Sequence, residues 1–142
     1  MASEFGSAQL ILKLYELRRE PVLRQARAWF VNEFNPATFE ELAATVTGEK
    51  SAWFRMVLGY SDMAASLVTS GAIDAAMFRA SSGEMLPTFA KVEPFLDKFR
   101  GEGGDYLKHV EAVVRDMPGS KEYIAMLRER MQPAAQQQAA RA

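Results

Sequence analysis

Apolar side chains recur at every third or fourth position along almost the whole chain, and this spacing limits the possible folds more than any other feature. Leu86, Phe89, Val92, Leu96 and Phe99 show it most clearly. Such a period places apolar residues on one face of an α-helix. No run combines strict apolar–polar alternation with β-branched residues, and no Asn-Gly or Asp-Gly hairpin turn occurs. The sequence therefore predicts an all-α fold.

Proline, glycine and capping residues divide this pattern into separate helices. The predicted helices cover residues 7–19, 21–34, 38–47, 51–70, 74–80, 84–99, 105–117 and 120–132. The fourth of these carries apolar residues on more than one side, so we place it at the centre of an irregular multi-helix bundle. Pro94 lacks the amide hydrogen that a helix interior needs. It predicts a kink or break between Ala90 and Glu93.

The chain of 142 residues has the length of one domain, which we assign to residues 8–132. Residues 1–7 contain a Gly-Ser pair, which is common in cloning remnants, and are set apart from the fold. Residues 133–142 have no large apolar side chain and predict a flexible tail. No run approaches the roughly 18 apolar residues of a membrane span, and the start lacks a signal-peptide pattern. We therefore expect a soluble, cytoplasmic protein.

Several kinds of chemistry are excluded by residues that the chain lacks. It has no cysteine and one histidine, His109. Disulfides, thiol nucleophiles, cysteine zinc sites and sites built from several histidines of one chain are therefore excluded. Neither a phosphate-binding glycine loop nor a Gly-x-Ser-x-Gly elbow occurs. We expect no metal, no cofactor and no catalytic residue, and we favour a non-enzymatic role.

Two small polar groupings are candidates for binding chemistry. His109 follows Asp105 by four residues, so a helix would place both on one face, as in a carboxylate-oriented general base. The simpler interpretation is a surface histidine beside a capping aspartate. Arg24 and Arg27 also share a helix face, which suits a phosphate or an acidic partner. Interleaved glutamates favour a salt-bridged surface there instead.

A third candidate is DNA binding. Residues 39–58 have the spacing of a helix-turn-helix, with Lys50 and Arg55 early in the second helix. The isoelectric point near 5.9 and the formal charge of −1, from 17 basic and 18 acidic residues, disfavour nucleic acid as a partner. Exposure of Trp53 would support DNA binding, whereas burial of Trp53 would count against it.

The preferred hypothesis is a module that acts through protein contacts, as a homodimer or with another protein. The chain has eight methionines and more amphipathic stripes than a small core needs, and a symmetric interface commonly buries such an excess. Ordinary core filling by methionine is the competing explanation. The alternative function is a small-molecule binder or enzyme with a pocket beside the central helix, walled by Trp53, Tyr60 or His109.

Part of the chain resembles an uncharacterised family of small bacterial all-helical proteins. The residues that carry the resemblance are Leu14, Tyr15, Glu16, Arg18, Ala28, Trp29, Phe30, Met56, Gly59, Tyr60, Met63, Ala64, Leu67, Val68, Gly71, Ile73, Asp74, Leu86, Val92, Glu93, Pro94, Phe95, Arg100, Tyr106, Val110 and Glu111. Most of these positions pack or cap helices. The resemblance implies a helical fold and a bacterial source, and it assigns no catalytic residue.

Overall fold

A computed structural model describes the backbone of residues 2–141 and the side chains of residues 2–131. Every regular element in that range is helical, which confirms the predicted all-α fold. The elements are α1 (Glu4–Leu17), α2 (Pro21–Asn32), α3 (Phe39–Thr47), α4 (Ser51–Thr69), α5 (Ala75–Ser81), α6 (Met85–Val92), a 3-10 turn (Glu93–Phe95), α7 (Leu96–Arg100), α8 (Lys108–Asp116) and α9 (Ser120–Arg141).

Helix α4 occupies the centre of the bundle, as its broad apolar surface predicted. It packs against α2 and α3 on one side and against α8 on another. Phe54 and Leu58 of α4 are each 1% exposed, and they meet a core that includes Phe30 and Phe89 from other helices. Each fully buried side chain of this size contributes about 1.5–3 kcal/mol relative to an exposed one. The core therefore fixes α4 firmly and leaves its remaining face outside.

Local capping signals confirm two predicted helix starts. Thr38 accepts a hydrogen bond from the amide of Glu41 at 3.2 Å, and the Glu41 carboxylate accepts one from the amide of Ala37 at 2.7 Å. Asp74 accepts the amide of Met77 at 3.0 Å at the start of α5. Both arrangements satisfy amide groups that a helix leaves free at its first turn.

Pro94 interrupts the long helix predicted over residues 84–99, which confirms the expected break. Helix α6 ends at Val92, a 3-10 turn spans Glu93–Phe95, and α7 begins at Leu96. The proline ring occupies the first turn of the new segment, where its missing amide hydrogen costs nothing. Pro94 therefore separates two helices.

The first helix begins at Glu4, three residues before its predicted start. Ser3 caps it by accepting the amide of Gly6 at 2.9 Å. Ser7 is fully buried, and its Oγ accepts a hydrogen bond from the amide of Asp74 at 2.9 Å. Residues 4–7 thus belong to the first helix and Ser7 packs inside the fold, although the sequence had set residues 1–7 apart. Their origin as a cloning remnant stays a hypothesis.

Some residues that follow the apolar period are exposed, and two predicted helix boundaries were wrong. Val22 and Tyr123 are 43% and 40% exposed, and Leu23 takes the buried position on α2 at 7%. Helix α8 begins at Lys108 because Leu107 adopts a left-handed conformation (φ 61°) after the glycine-rich link. Helix α9 runs to Arg141. The side chains of residues 132–142 lie outside the described residues, and the flexible tail over 133–142 stays a prediction.

Candidate functional site

Two features are candidates for function, and both involve the central helix. The first is the outward stripe of α4, which consists of Ala52, Arg55, Met56, Gly59 and Met63 and is called the α4 stripe below. All five residues are exposed, and the two methionine side chains are 36% and 39% exposed. Apart from Arg55, the stripe therefore presents small and apolar groups to solvent along three turns of helix.

Gly59 lies in the middle of the α4 stripe and of the helix itself. A Cβ atom at this position would meet nothing within 4 Å, so no close packing inside the chain requires a glycine. A glycine in a helix interior costs about 1 kcal/mol relative to alanine. The residue therefore weakens the central helix without a compensating contact among the described residues.

The second feature is a cavity of about 50 Å³ between α1, α4, α5 and the start of α6. It is lined by Ile11, Leu14, Tyr15, Arg18, Arg27, Val57, Tyr60, Ser61, Ala64, Phe78, Ser82, Glu84, Met85 and Thr88. Most of the apolar members are almost fully buried, with Leu14, Val57 and Phe78 at 6%, 4% and 2% exposed. The charged members are more exposed and lie at the solvent side.

Three charged side chains form an ion triad, defined as Arg18, Arg27 and Glu84. The Oε2 atom of Glu84 accepts a hydrogen bond from Arg18 at 2.6 Å and one from Arg27 at 2.5 Å. The three side chains are 23%, 21% and 33% exposed in that order. With two guanidinium groups on one carboxylate, the ion triad carries a net charge of +1.

Two tyrosines complete the polar side of the cavity. The Tyr60 hydroxyl donates to the backbone carbonyl of Leu14 at 2.7 Å, which ties α4 to α1. Burial raises the pKa of the Tyr60 phenol, and the nearby charges of Arg18 and Arg27 partly oppose that rise. The Tyr15 hydroxyl donates to the carbonyl of Ser81, with the Arg18 guanidinium 4.8 Å from the Tyr15 ring centre. These contacts join α1 to α5 at the cavity.

The structure separates the residues that the sequence analysis singled out. Tyr60 and Arg27 line the cavity. Arg24, one turn before Arg27, is exposed on α2. Trp53 is partly buried and packs against Trp29 with ring centres 6.2 Å apart.

The structure does not bring His109 and Asp105 together, an arrangement that the sequence allowed but did not favour. Asp105 precedes α8, and its carboxylate binds the Lys108 ammonium at 3.1 Å. The Nδ1 atom of His109 lies 2.7 Å from the hydroxyl oxygen of Thr69 on α4. Because α8 starts three residues later than predicted, the two residues do not share a helix face. The imidazole therefore contacts a hydroxyl and not a carboxylate.

Sequence reasoning missed the role of Asp62. Its Oδ1 atom accepts the amides of His109 and Val110, each at 3.1 Å, and so caps α8 from the neighbouring helix α4. Sequence reasoning also did not pair Arg18 with Glu84. The contacts of Arg18 and Asp62 lie 66 and 47 or more residues away in the chain, beyond the reach of a local signal.

No helix within residues 2–141 is both long and apolar enough to cross a membrane. Among the described residues, no group of three histidine, aspartate or glutamate side chains could hold a metal ion.

No curated protein and no solved structure matches the chain. A family model described as a domain of unknown function matches residues 5–117, which is most of the chain and runs from the second residue of α1 to beyond the end of α8. The chain therefore belongs to the family of the domain of unknown function DUF4760.

Proposed function

We propose that this domain works as a homodimer, built by antiparallel packing of the α4 stripes of two copies about a two-fold axis near Gly59. The observation that supports it is the exposed glycine at the middle of the central helix, between two half-exposed methionines. A glycine allows two helix backbones to approach closely. A symmetric pair is also the commonest assembly of a soluble chain.

The spacing of the α4 stripe suits helix–helix packing. Ala52, Met56, Gly59 and Met63 follow one another at steps of four, three and four residues. This is the step pattern of the apolar seam in a two-stranded coiled coil. In an antiparallel pair centred at Gly59, each Met56 meets Met63 of the partner subunit. The flexible methionine side chains can adapt to each other across such a contact.

Charge is also complementary about the same axis. Arg55 and Asp62 lie seven residues apart, on one flank of α4, with their midpoint next to Gly59. An antiparallel pair therefore brings Arg55 of each copy towards Asp62 of the partner subunit. Both hydrogen bonds that Asp62 accepts from α8 end on Oδ1, so Oδ2 is available for an arginine. Charge-assisted bonds of this kind fix the register of an interface more than its strength.

Sedimentation equilibrium tests this proposal over a wide range of protein concentration. We expect reversible dimerisation that Arg55→Glu weakens about tenfold or more, because the reversed charge then faces Asp62. Arg24→Glu is the matched control, since Arg24 is an exposed arginine on another helix. A monomeric mass at every concentration would overturn the proposal.

Helix α1 offers a competing surface for the same assembly. Phe5 and Leu12 are 74% and 69% exposed and lie two turns apart on its outer side. If α1 forms the interface, Leu12→Glu dissociates the dimer and Arg55→Glu leaves it intact. We expect the reverse, because Arg55 and Asp62 add charge complementarity to the α4 stripe.

DNA binding is the less supported function. It would use the start of α4, where the Lys50 ammonium lies 3.9 Å from the Trp53 ring centre and Trp53 packs inwards on Trp29. Lys50 and Arg55 are the cations early in this helix, and two positive charges give little attraction to phosphates. A gel-shift assay with random duplex DNA at low salt tests it.

A cytoplasmic location and a bacterial source stay predictions of the sequence.

A further inference from the structure

The cavity between α1, α4, α5 and α6 has a polar end and an apolar end, which is the arrangement of a site for a small amphipathic molecule. Leu14, Val57 and Phe78 form the buried end. The ion triad forms the solvent side, where its members are 21% to 33% exposed. A bound molecule would therefore place its charged group outward and its apolar group inward.

The charge of the ion triad selects an anion. Glu84 accepts two hydrogen bonds, one from Nη2 of Arg18 and one from Nη2 of Arg27. A guanidinium has five N–H donors, so each arginine keeps donors for a second acceptor. Because the ion triad has a net charge of +1, one negative charge neutralises it. A dianion would leave excess negative charge in a partly desolvated site, which is costly.

The size of the cavity limits the ligand. Its volume of about 50 Å³ is several times the roughly 10–15 Å³ that one water molecule needs when space is measured in the same way. It is far below the roughly 300–1,000 Å³ of pockets for drug-sized molecules. The site therefore holds only a few heavy atoms. The guanidinium fork matches both carboxylates and phosphates, but a planar carboxylate group has three heavy atoms and needs less room than the five of a phosphate.

We propose that this cavity binds a short-chain monocarboxylate, with its carboxylate between Arg18 and Arg27 beside Glu84 and its few-carbon chain against Val57 and Phe78. Thr88, which is 5% exposed, also lines the cavity and carries a hydroxyl group. The hydrogen bond from the Tyr60 hydroxyl to the Leu14 carbonyl joins α4 to α1 at the cavity. Binding would therefore connect α1 more firmly to the central helix.

Isothermal titration calorimetry with butyrate as the probe tests this site. We expect saturable binding of butyrate and no binding of butyramide, which has the same shape without the charge. Arg27→Gln should weaken butyrate binding about 10- to 100-fold, since a hydrogen bond to a charged group contributes about 1.5–3 kcal/mol. Arg24→Gln is the control one turn away and should bind as the unaltered chain does.

A second variant keeps the site testable if Arg27→Gln unfolds. Ala64 is 3% exposed and lines the apolar end, so Ala64→Val narrows the cavity and leaves every charge in place. This substitution should weaken the binding of butyrate more than the binding of acetate. The proposal is overturned if butyramide binds as well as butyrate, if inorganic phosphate binds more tightly than both carboxylates, or if no carboxylate binds. None of these outcomes depends on the assembly state.

Discussion

Replacement of Gly59 by alanine separates the stability of the chain from its assembly, because the two should change in opposite directions. The added Cβ meets nothing within 4 Å in one copy, and Gly59 lies inside α4. Alanine should therefore stabilise the monomer by about 0.5–1 kcal/mol through helix propensity and reduced chain entropy. For a chain of this length that corresponds to a rise of roughly 2–4 °C in Tm.

In the proposed dimer the same methyl group lies at the two-fold axis and meets its own copy. The backbones must then separate, and the contact between Met56 and Met63 of the partner subunit loosens. We expect the dissociation constant to rise at least about tenfold, which corresponds to about 1.4 kcal/mol. The assays are chemical unfolding at low protein concentration for the first effect and sedimentation equilibrium for the second.

Gly71→Ala is the matched control for the stability effect. A Cβ at Gly71 also meets nothing within 4 Å, but its φ of +85° is a conformation that alanine disfavours. Alanine should therefore destabilise the chain by roughly 1 kcal/mol. If Gly59→Ala is stabilised and dimerises as before, the α4 stripe is not the interface. If Gly59→Ala is not stabilised, the helix argument itself is wrong.

Two further predictions concern long-range contacts. Asp62→Ala removes the acceptor of two α8 amides and should lower the free energy of unfolding by about 1–2 kcal/mol in urea titration, whereas Asp62→Asn should lose less. Lys91 donates to the carbonyls of Phe30, Val31 and Phe34 at the end of α2, and burial lowers its pKa to about 8. Between about pH 8 and 10.5 the unfolded chain then binds more protons than the folded chain, so the free energy of unfolding should rise with pH. Measured relative to Lys91→Met, this rise should be at most about 3 kcal/mol. A difference that falls across this interval would contradict that assignment.

Features with a local cause were predictable from the sequence. The break at Pro94 follows from one missing amide hydrogen, and the starts at Thr38 and Asp74 follow from side chains that cap helices within three residues. The central position of α4 follows from the breadth of its apolar surface. Each of these needs only neighbouring residues.

Features that depend on distant partners were not predictable in the same way. Glu84 meets Arg18 from 66 residues away, and Asp62 meets α8 from 47 residues away. From the sequence alone, arginine and glutamate side chains on helices are expected to form solvated ion pairs. Only the fold shows that a cavity lies next to this one. Tyr60 and Arg27 could be named as candidates, whereas their common site could not, because nothing in the chain order brings α1, α4 and α6 together.

The hydrogen bond between the Ser7 hydroxyl and the amide of Asp74 joins the first turns of two helices that lie 67 residues apart. A shorter expression clone that begins at residue 8 lacks that acceptor. The amide of Asp74 at the start of α5 then loses its hydrogen bond. An affinity tag should therefore be joined ahead of Ser3, which caps α1, so that the first turn of α1 keeps its contact with the start of α5.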